Sequence, residues 1–211
     1  MFINFLKDLL FPLDCQGCNQ PGSWLCPSCF RSLNFNGPQI SIPLLERVYV
    51  ASNYNDPLLA QLIKGYKYNF ISELAPELGR FLAIYFLGQI ALFPELTNLA
   101  LIPIPLSKER QRWRGFNQST LLAKEVSNRT GSPLVDKLVK IRRGQVQASL
   151  GARKRQDNVA GSLVWQGEDL QGIDVILVDD VTTTGATLSE GARALKAAGA
   201  RRVYGLVLAK G

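Results

Sequence analysis

The chain contains no histidine. That absence excludes Ser-His-Asp and Cys-His nucleophilic catalysis, imidazole-ligated metals and the usual proton shuttle near neutral pH. Long apolar runs are also missing. The longest uncharged apolar stretch, Phe81 to Pro94, has 14 residues, and a membrane-spanning helix needs roughly 20. Met1 to Leu13 is apolar but holds Lys7 and Asp8, with no basic start and no small-residue cleavage site, so it does not read as an export signal. Neither G-x-x-x-x-G-K-[ST] nor a G-x-G-x-x-G after a strand occurs. This argues against a P-loop ATPase and an ordinary Rossmann dehydrogenase.

What is present suits one globular domain with a small appendage: 211 residues, 46% hydrophobic and 19% charged. Lys and Arg number 24 against 17 Asp and Glu, a net of +7. The excess is local. Ser107 to Arg155 holds 13 basic and 3 acidic residues, a net of +10, and the remainder of the chain is slightly acidic. A basic zone this concentrated implies an anionic partner, whether phosphate, nucleic acid or an anionic membrane surface. Near the start, Phe2, Phe5, Leu6, Leu9 and Leu10 recur at helical spacing, which predicts a short amphipathic helix packed on the body.

All four cysteines lie in one window, as C-x2-C, seven residues, then C-x2-C: Cys15, Cys18, Cys26 and Cys29. Each C-x2-C can fold into a knuckle that presents two thiolates to one tetrahedral ion, and Gly17 and Gly22 ease the turns. A closed four-sulfur zinc site is structural, with no open coordination position. The alternatives are two disulfides, which the missing export signal disfavours, and an iron–sulfur cluster, which has less support. The window predicts an N-terminal module, residues 1–38, ahead of a body, residues 39–211.

Along the body, strands are expected at Arg47 to Tyr54, Leu99 to Pro105, Leu134 to Ile141, Ser162 to Trp165, Asp174 to Val178 and Val203 to Ala209. Helices are expected at Pro57 to Lys67, Ser72 to Gly88, Gln118 to Arg129 (capped by Asn117 and Gly131) and Thr187 to Ala198. Gly144 to Gly161 reads as a long polar loop. The alternation predicts an α/β fold, a largely parallel sheet flanked by helices.

The most informative segment runs from Val175 to Thr187: a buried strand, then Asp179 and Asp180, then Val181-Thr182-Thr183-Thr184-Gly185-Ala186-Thr187 into a helix. Ligands of α/β sheets bind at carboxyl ends of strands. The turn offers backbone N–H groups, hydroxyls and a helix start, which suit a phosphate dianion, and Gly185 lets the backbone come close. The acids suit two adjacent hydroxyls. Together they read as a receptor for ribose 5-phosphate.

This loop resembles the signature of type I phosphoribosyltransferases. The chain as a whole resembles the ComF (ComFC/GntX-like) competence family. The resemblance rests on the cysteine knuckles, Ile102-Pro103-Ile104-Pro105 followed by Arg110, Arg114-Gly115-Phe116-Asn117-Gln118, Gln147, Leu150, Arg155, Asn158-Val159-Ala160-Gly161, the Asp-Asp-Val loop and Ala198-Gly199-Ala200. It departs at Leu163, where an aromatic is common. It implies a type I phosphoribosyltransferase-like parallel sheet, with phosphoribosyl pyrophosphate bound alongside Mg²⁺. The 5-phosphate would sit in the Thr182–Thr187 turn and the diol on Asp179 and Asp180. Ser107, Arg110 and Arg114 would take the pyrophosphate, with Lys64 a further candidate. Arg153, Lys154, Arg155 and Asn158 would belong to a flap over the site. Catalysis would be charge stabilisation around a departing pyrophosphate, which needs no histidine. No residue names the acceptor. The family also implies a role in DNA uptake. The alternatives to an enzyme are a single-stranded-DNA-binding competence protein, with Trp113 and Phe116 stacking on bases, or a regulator that senses phosphoribosyl pyrophosphate. Expected partners are that ligand, single-stranded DNA, DNA-uptake proteins and further copies of the chain. The expected location is the cytoplasm, with a peripheral place at the inner membrane as the alternative.

Overall fold

The computed structural model describes residues 13–91, 99–141 and 161–211. Four strands form one parallel sheet in the order β1-β6-β5-β2: β1 (Arg47–Asn53), β2 (Leu99–Pro103), β5 (Asp174–Thr182) and β6 (Arg202–Lys210). Its central strands read as near-continuous apolar runs because helices cover both faces. Val175 to Val178 are fully buried. Two short strands, β3 (Leu138–Lys140) and β4 (Leu163–Trp165), pair antiparallel as a separate ribbon.

The helices begin where the sequence supplies caps. Helix α1 (Pro27–Ser32) lies in the cysteine window. In α2 (Pro57–Tyr68), Asp56 accepts from the Leu59 N–H and Pro57 opens the first turn. A 3₁₀ turn (Ser72–Leu74) leads into α3 (Ala75–Ile90). Helix α4 (Lys108–Arg114) follows β2, with Ser107 as its N-cap. In α5 (Gln118–Thr130), Asn117 accepts from the Ser119 N–H, and Gly131 closes the helix at φ +75°. Helix α6 (Ala186–Ala197) follows β5.

One core face packs α2, α3 and α5 on the sheet through Tyr66, Phe81, Phe86 and Leu122, and it also takes in Cys15, Leu25, Cys26 and Leu33. The other face packs α6 and the β3–β4 ribbon through Leu138, Leu163, Leu188 and Leu195. At the amino edge of the sheet, Asp174 is fully buried and held by Arg201 at 2.7 Å and Arg202 at 2.6 Å. Burial alone would raise its carboxyl, but the two guanidinium bonds outweigh this and hold it at about 2.

The structure differs from the sequence reading in three places. Strand β5 continues four residues past Val178, so both acids lie in the strand, and Asp179, Val181 and Thr182 pair in register with β6. Lys108–Arg114 is helical, although its charges follow no apolar stripe. Leu134 makes only an isolated bridge to Leu101, and the strand expected there shortens to Leu138–Lys140, outside the main sheet. The expected N-terminal helix, and the loop residues Gln147, Leu150, Arg153, Lys154, Arg155 and Asn158 to Ala160, lie outside the described residues. Among the described residues no helix is long and apolar enough to cross a membrane.

Candidate functional site

The carboxyl ends of all four parallel strands lie along one edge of the sheet. There β5 carries Asp179 and Asp180, and the chain turns through Thr183 and Thr184 into α6. Gly185 is the N-cap at φ +78° and offers no side-chain cap, and the Ala186 N–H makes only a long bond, 3.4 Å, to Thr184 Oγ1. A Cβ at Gly185 would stand 2.5 Å from Ile42 Cδ1, so a side chain is excluded by conformation and by space. The acids are therefore not N-caps. The first N–H groups of α6 face a turn whose Thr183 and Thr184 are exposed.

The two carboxylates are held from different helices. Asp179 Oδ1 accepts from Ser119 Oγ at 2.8 Å and from the Asp180 N–H at 2.9 Å. Asp180 is paired with Lys67 Nζ at 2.8 Å, from the last turn of α2. Burial, with the Asp180 charge next to it, raises the Asp179 carboxyl to about 7. The Tyr66 hydroxyl, pushed upward by its own burial and by Asp180, donates to the Gln118 carbonyl at 2.9 Å.

Ser107 and Arg110 lie at the start of α4, and Arg110 is exposed. Arg114 sits over the Tyr68 ring at 5.8 Å, and its buried Nε has no hydrogen-bond partner among the described residues. Lys64 is exposed on α2, and it is Lys67, one turn further on, that reaches the acids. Sequence reasoning missed Lys67 and Ser119. The signal for Ser119 was present, because a cap at Asn117 puts it in the first turn of α5, beside the strand end. Gln118 is buried, and neither side-chain amide atom has a partner among the described residues. Phe116 packs half-buried against Tyr66, whereas Trp113 is 63% exposed and meets Phe70 edge-on at 4.8 Å.

At the other end of the chain the four cysteine sulfurs all lie within 4.8 Å of one another. The Cys26 N–H donates to Cys15 Sγ at 3.3 Å, the kind of bond that steadies a thiolate. The Ser28 hydroxyl, foremost, holds the Cys26 thiol down to about 6, while its contact with Cys26 pushes Cys29 up to about 12. A Cβ on Gly17 would come within 2.8 Å of Cys29 Sγ, so this glycine is needed for room rather than for its turn.

The model of the phosphoribosyl transferase domain matches residues 117–211. The DNA utilization protein YhgH of Salmonella typhimurium is 30% identical over 194 residues, covering 90% of this chain and 80% of its own length. Competence protein F of Haemophilus influenzae is 31% identical over 172 residues, covering 79% and 75% respectively. The chain belongs to the ComF competence family. Competence protein ComFC of Bacillus subtilis is similar at 30% identity over 154 residues, 72% of this chain and 59% of that one. In this ComF-family chain the domain match begins at the Asn117 cap and spans β5, the Thr/Gly turn and α6, so the acid pair and the turn both fall within it.

The Asp179 shift has a sign that solution measurements read. Its folded pKa is raised from the ordinary 3.8 to about 7. The ligand-free protein therefore loses stability as pH rises across that window, because the folded state binds the extra proton. Asp179→Asn flattens this loss, and denaturant unfolding at several pH values checks it. An unchanged loss in that variant would assign the titration elsewhere.

Proposed function

We propose that this ComF-family chain binds phosphoribosyl pyrophosphate, or another ligand built on ribose 5-phosphate, and that this binding serves DNA uptake in natural transformation. One observation carries the reading: a helix start with glycine at its N-cap stands just beyond two adjacent carboxylates on a strand end. The helix-start N–H groups suit a phosphate dianion in the Thr182–Thr187 turn, and the carboxylates suit the two ribose hydroxyls.

The raised Asp179 carboxyl marks a place short of positive charge, which fits a cation arriving with the ligand. Asp179 and Asp180 would hold Mg²⁺ there, and a bound Mg²⁺ neutralises charge on the pyrophosphate. For Asp180 to accept from a hydroxyl, Lys67 must give up its 2.8 Å pair or share it. Ser107, Arg110 and Arg114 are assigned to the pyrophosphate, and the forked guanidinium of Arg114 suits it bidentately. Lys64, Arg153, Arg155 and Asn158 are assigned to the ligand on family resemblance. In a transfer reaction the bond from the sugar to pyrophosphate breaks, an acceptor nucleophile supplies the electron pair for the new bond to that sugar carbon, the old pair leaves with the pyrophosphate, and the arginines stabilise that charge. The four cysteines are assigned to a structural zinc ion on the closeness of their sulfurs.

Calorimetry with phosphoribosyl pyrophosphate and Mg²⁺ gives a saturable heat, and Asp179→Ala combined with Asp180→Ala removes it. No heat in the parent protein overturns the reading.

One observation favours single-stranded DNA as a second ligand. Trp113 and Phe70 stand exposed on the surface, and α4 adds exposed Arg110 and Arg112. Bases stack on such rings while cations track the phosphates. Binding then falls steeply with salt, and Trp113→Ala weakens it by about 1–3 kcal/mol. A salt slope indistinguishable from zero rejects this ligand.

A further inference from the structure

A cavity of about 430 Å³ lies at the amino end of the outer strand β1, whereas the acid pair stands at a carboxyl end. It is bounded by Arg47, Val48 and Tyr49 of β1, by the chain from 35 to 46, and by Tyr85 and Gln89 of α3. A space of this size takes a small organic ligand. Its boundary is fixed by the backbone. Asn36 Oδ1 accepts from Ser52 Oγ at 3.0 Å and from the Asn53 N–H at 3.2 Å, and Ile40 bridges Val48. Between them a Cβ on Gly37 would overlap the Val50 carbonyl, so the chain there lies directly on the outer edge of the strand. Ile42 lines the cavity and also packs on Gly185, so it stands between this space and the phosphate turn.

The lining suits a flat, uncharged ligand. Phe35 stacks on Phe81 at 4.5 Å with the planes 20° apart, and its ring lies 5.8 Å from that of Tyr85. It is nevertheless 49% exposed, so the ring face turned away from Phe81 is open. A further flat ring would continue the stack. The lining carries one cation, Arg47, and one acid, Glu46, and their charges cancel. An anion therefore finds no excess of positive charge here. Gln39 and Gln89 face the space from opposite boundaries. Each amide offers both a donor and an acceptor. The edge of a nucleobase presents donors and acceptors in the same way.

We infer that this cavity is a second ligand site and binds a nucleobase, with Phe35 stacked on the face of the base and Gln39 and Gln89 bonded to its edge. The site is separate from the acid pair and needs no ribose 5-phosphate. Stacking supplies most of the affinity, because it replaces water on the open Phe35 face, and the two amides set the orientation.

The test is calorimetry on the full chain, without Mg²⁺ or any phosphoribosyl ligand, using adenine and uracil as separate probes. At least one of the two gives a saturable heat, and inorganic phosphate does not displace the bound base. Phe35→Ala weakens that base about tenfold or more, the loss expected for one stacked ring. Phe35→Trp restores it, because the larger ring stacks as well. Gln89→Leu, which keeps the length of an α3 side chain and removes its amide, also weakens the base and serves if Phe35→Ala does not fold. No heat with either base overturns the inference. So does an affinity left equal to the parent's in the folded Phe35 and Gln89 variants, or displacement of the base by phosphate, which would mark a site for anions. The result is read without ribose 5-phosphate, so it decides this site whatever the phosphate turn binds.

Discussion

Two carboxylates on consecutive residues of a buried strand repel each other, and the carboxyl edge of this sheet is arranged around holding them. Asp179 is steadied by a hydroxyl from the first turn of α5, and Asp180 by an ammonium from the last turn of α2. Those helices are fixed in turn by Asn117, which caps α5 and ties the loop after β2 to it, and by Asp56, which caps α2. The arrangement still leaves Asp179 raised to about 7. A pair kept in that condition is better explained by a ligand than by stability, since an apolar residue on the strand would cost less.

The opposite edge of the same strand shows the contrast. Asp174 is as buried as any residue in the molecule, yet two arginines hold it near 2. At that edge charge is fully compensated and structural. At the carboxyl edge Asp180 has one lysine and a backbone N–H, Asp179 has a hydroxyl and a backbone N–H but no cation bonded to it, and the N-cap of α6 is a glycine. Arg110 and Lys140 stand near Asp179 rather than bonding to it. The missing histidine fits chemistry carried by charge alone.

Much of this was legible in the sequence because it is local. The order strand, acids, Thr/Gly turn, helix is a continuous stretch, and the caps of α5 lie next to their helix. The cysteine spacing likewise predicted a cluster, and the four sulfurs meet. The rest was not legible, for a physical reason in each case. The Lys67–Asp180 pair joins residues far apart in the chain, so only the packing of α2 on the sheet creates it. The extension of β5 through both acids depends on β6 running equally far, to Lys210. Helix α4 carries too many charges to show an apolar period. The strand expected at Leu134 to Ile141 is apolar enough for the main sheet, but its pairing with β4 draws it into a separate ribbon.

The central claim is that the turn after β5 and the two acids on it take the two ends of one ribose 5-phosphate unit. A crystal structure of the protein with ribose 5-phosphate tests this most directly. The account predicts phosphate density within hydrogen-bond distance of the Gly185–Thr187 N–H groups, with the diol on Asp179 and Asp180 and Lys67 shifted from its present pair. Ligand density elsewhere, with the Lys67–Asp180 pair intact and the turn empty at saturating ligand, would contradict it.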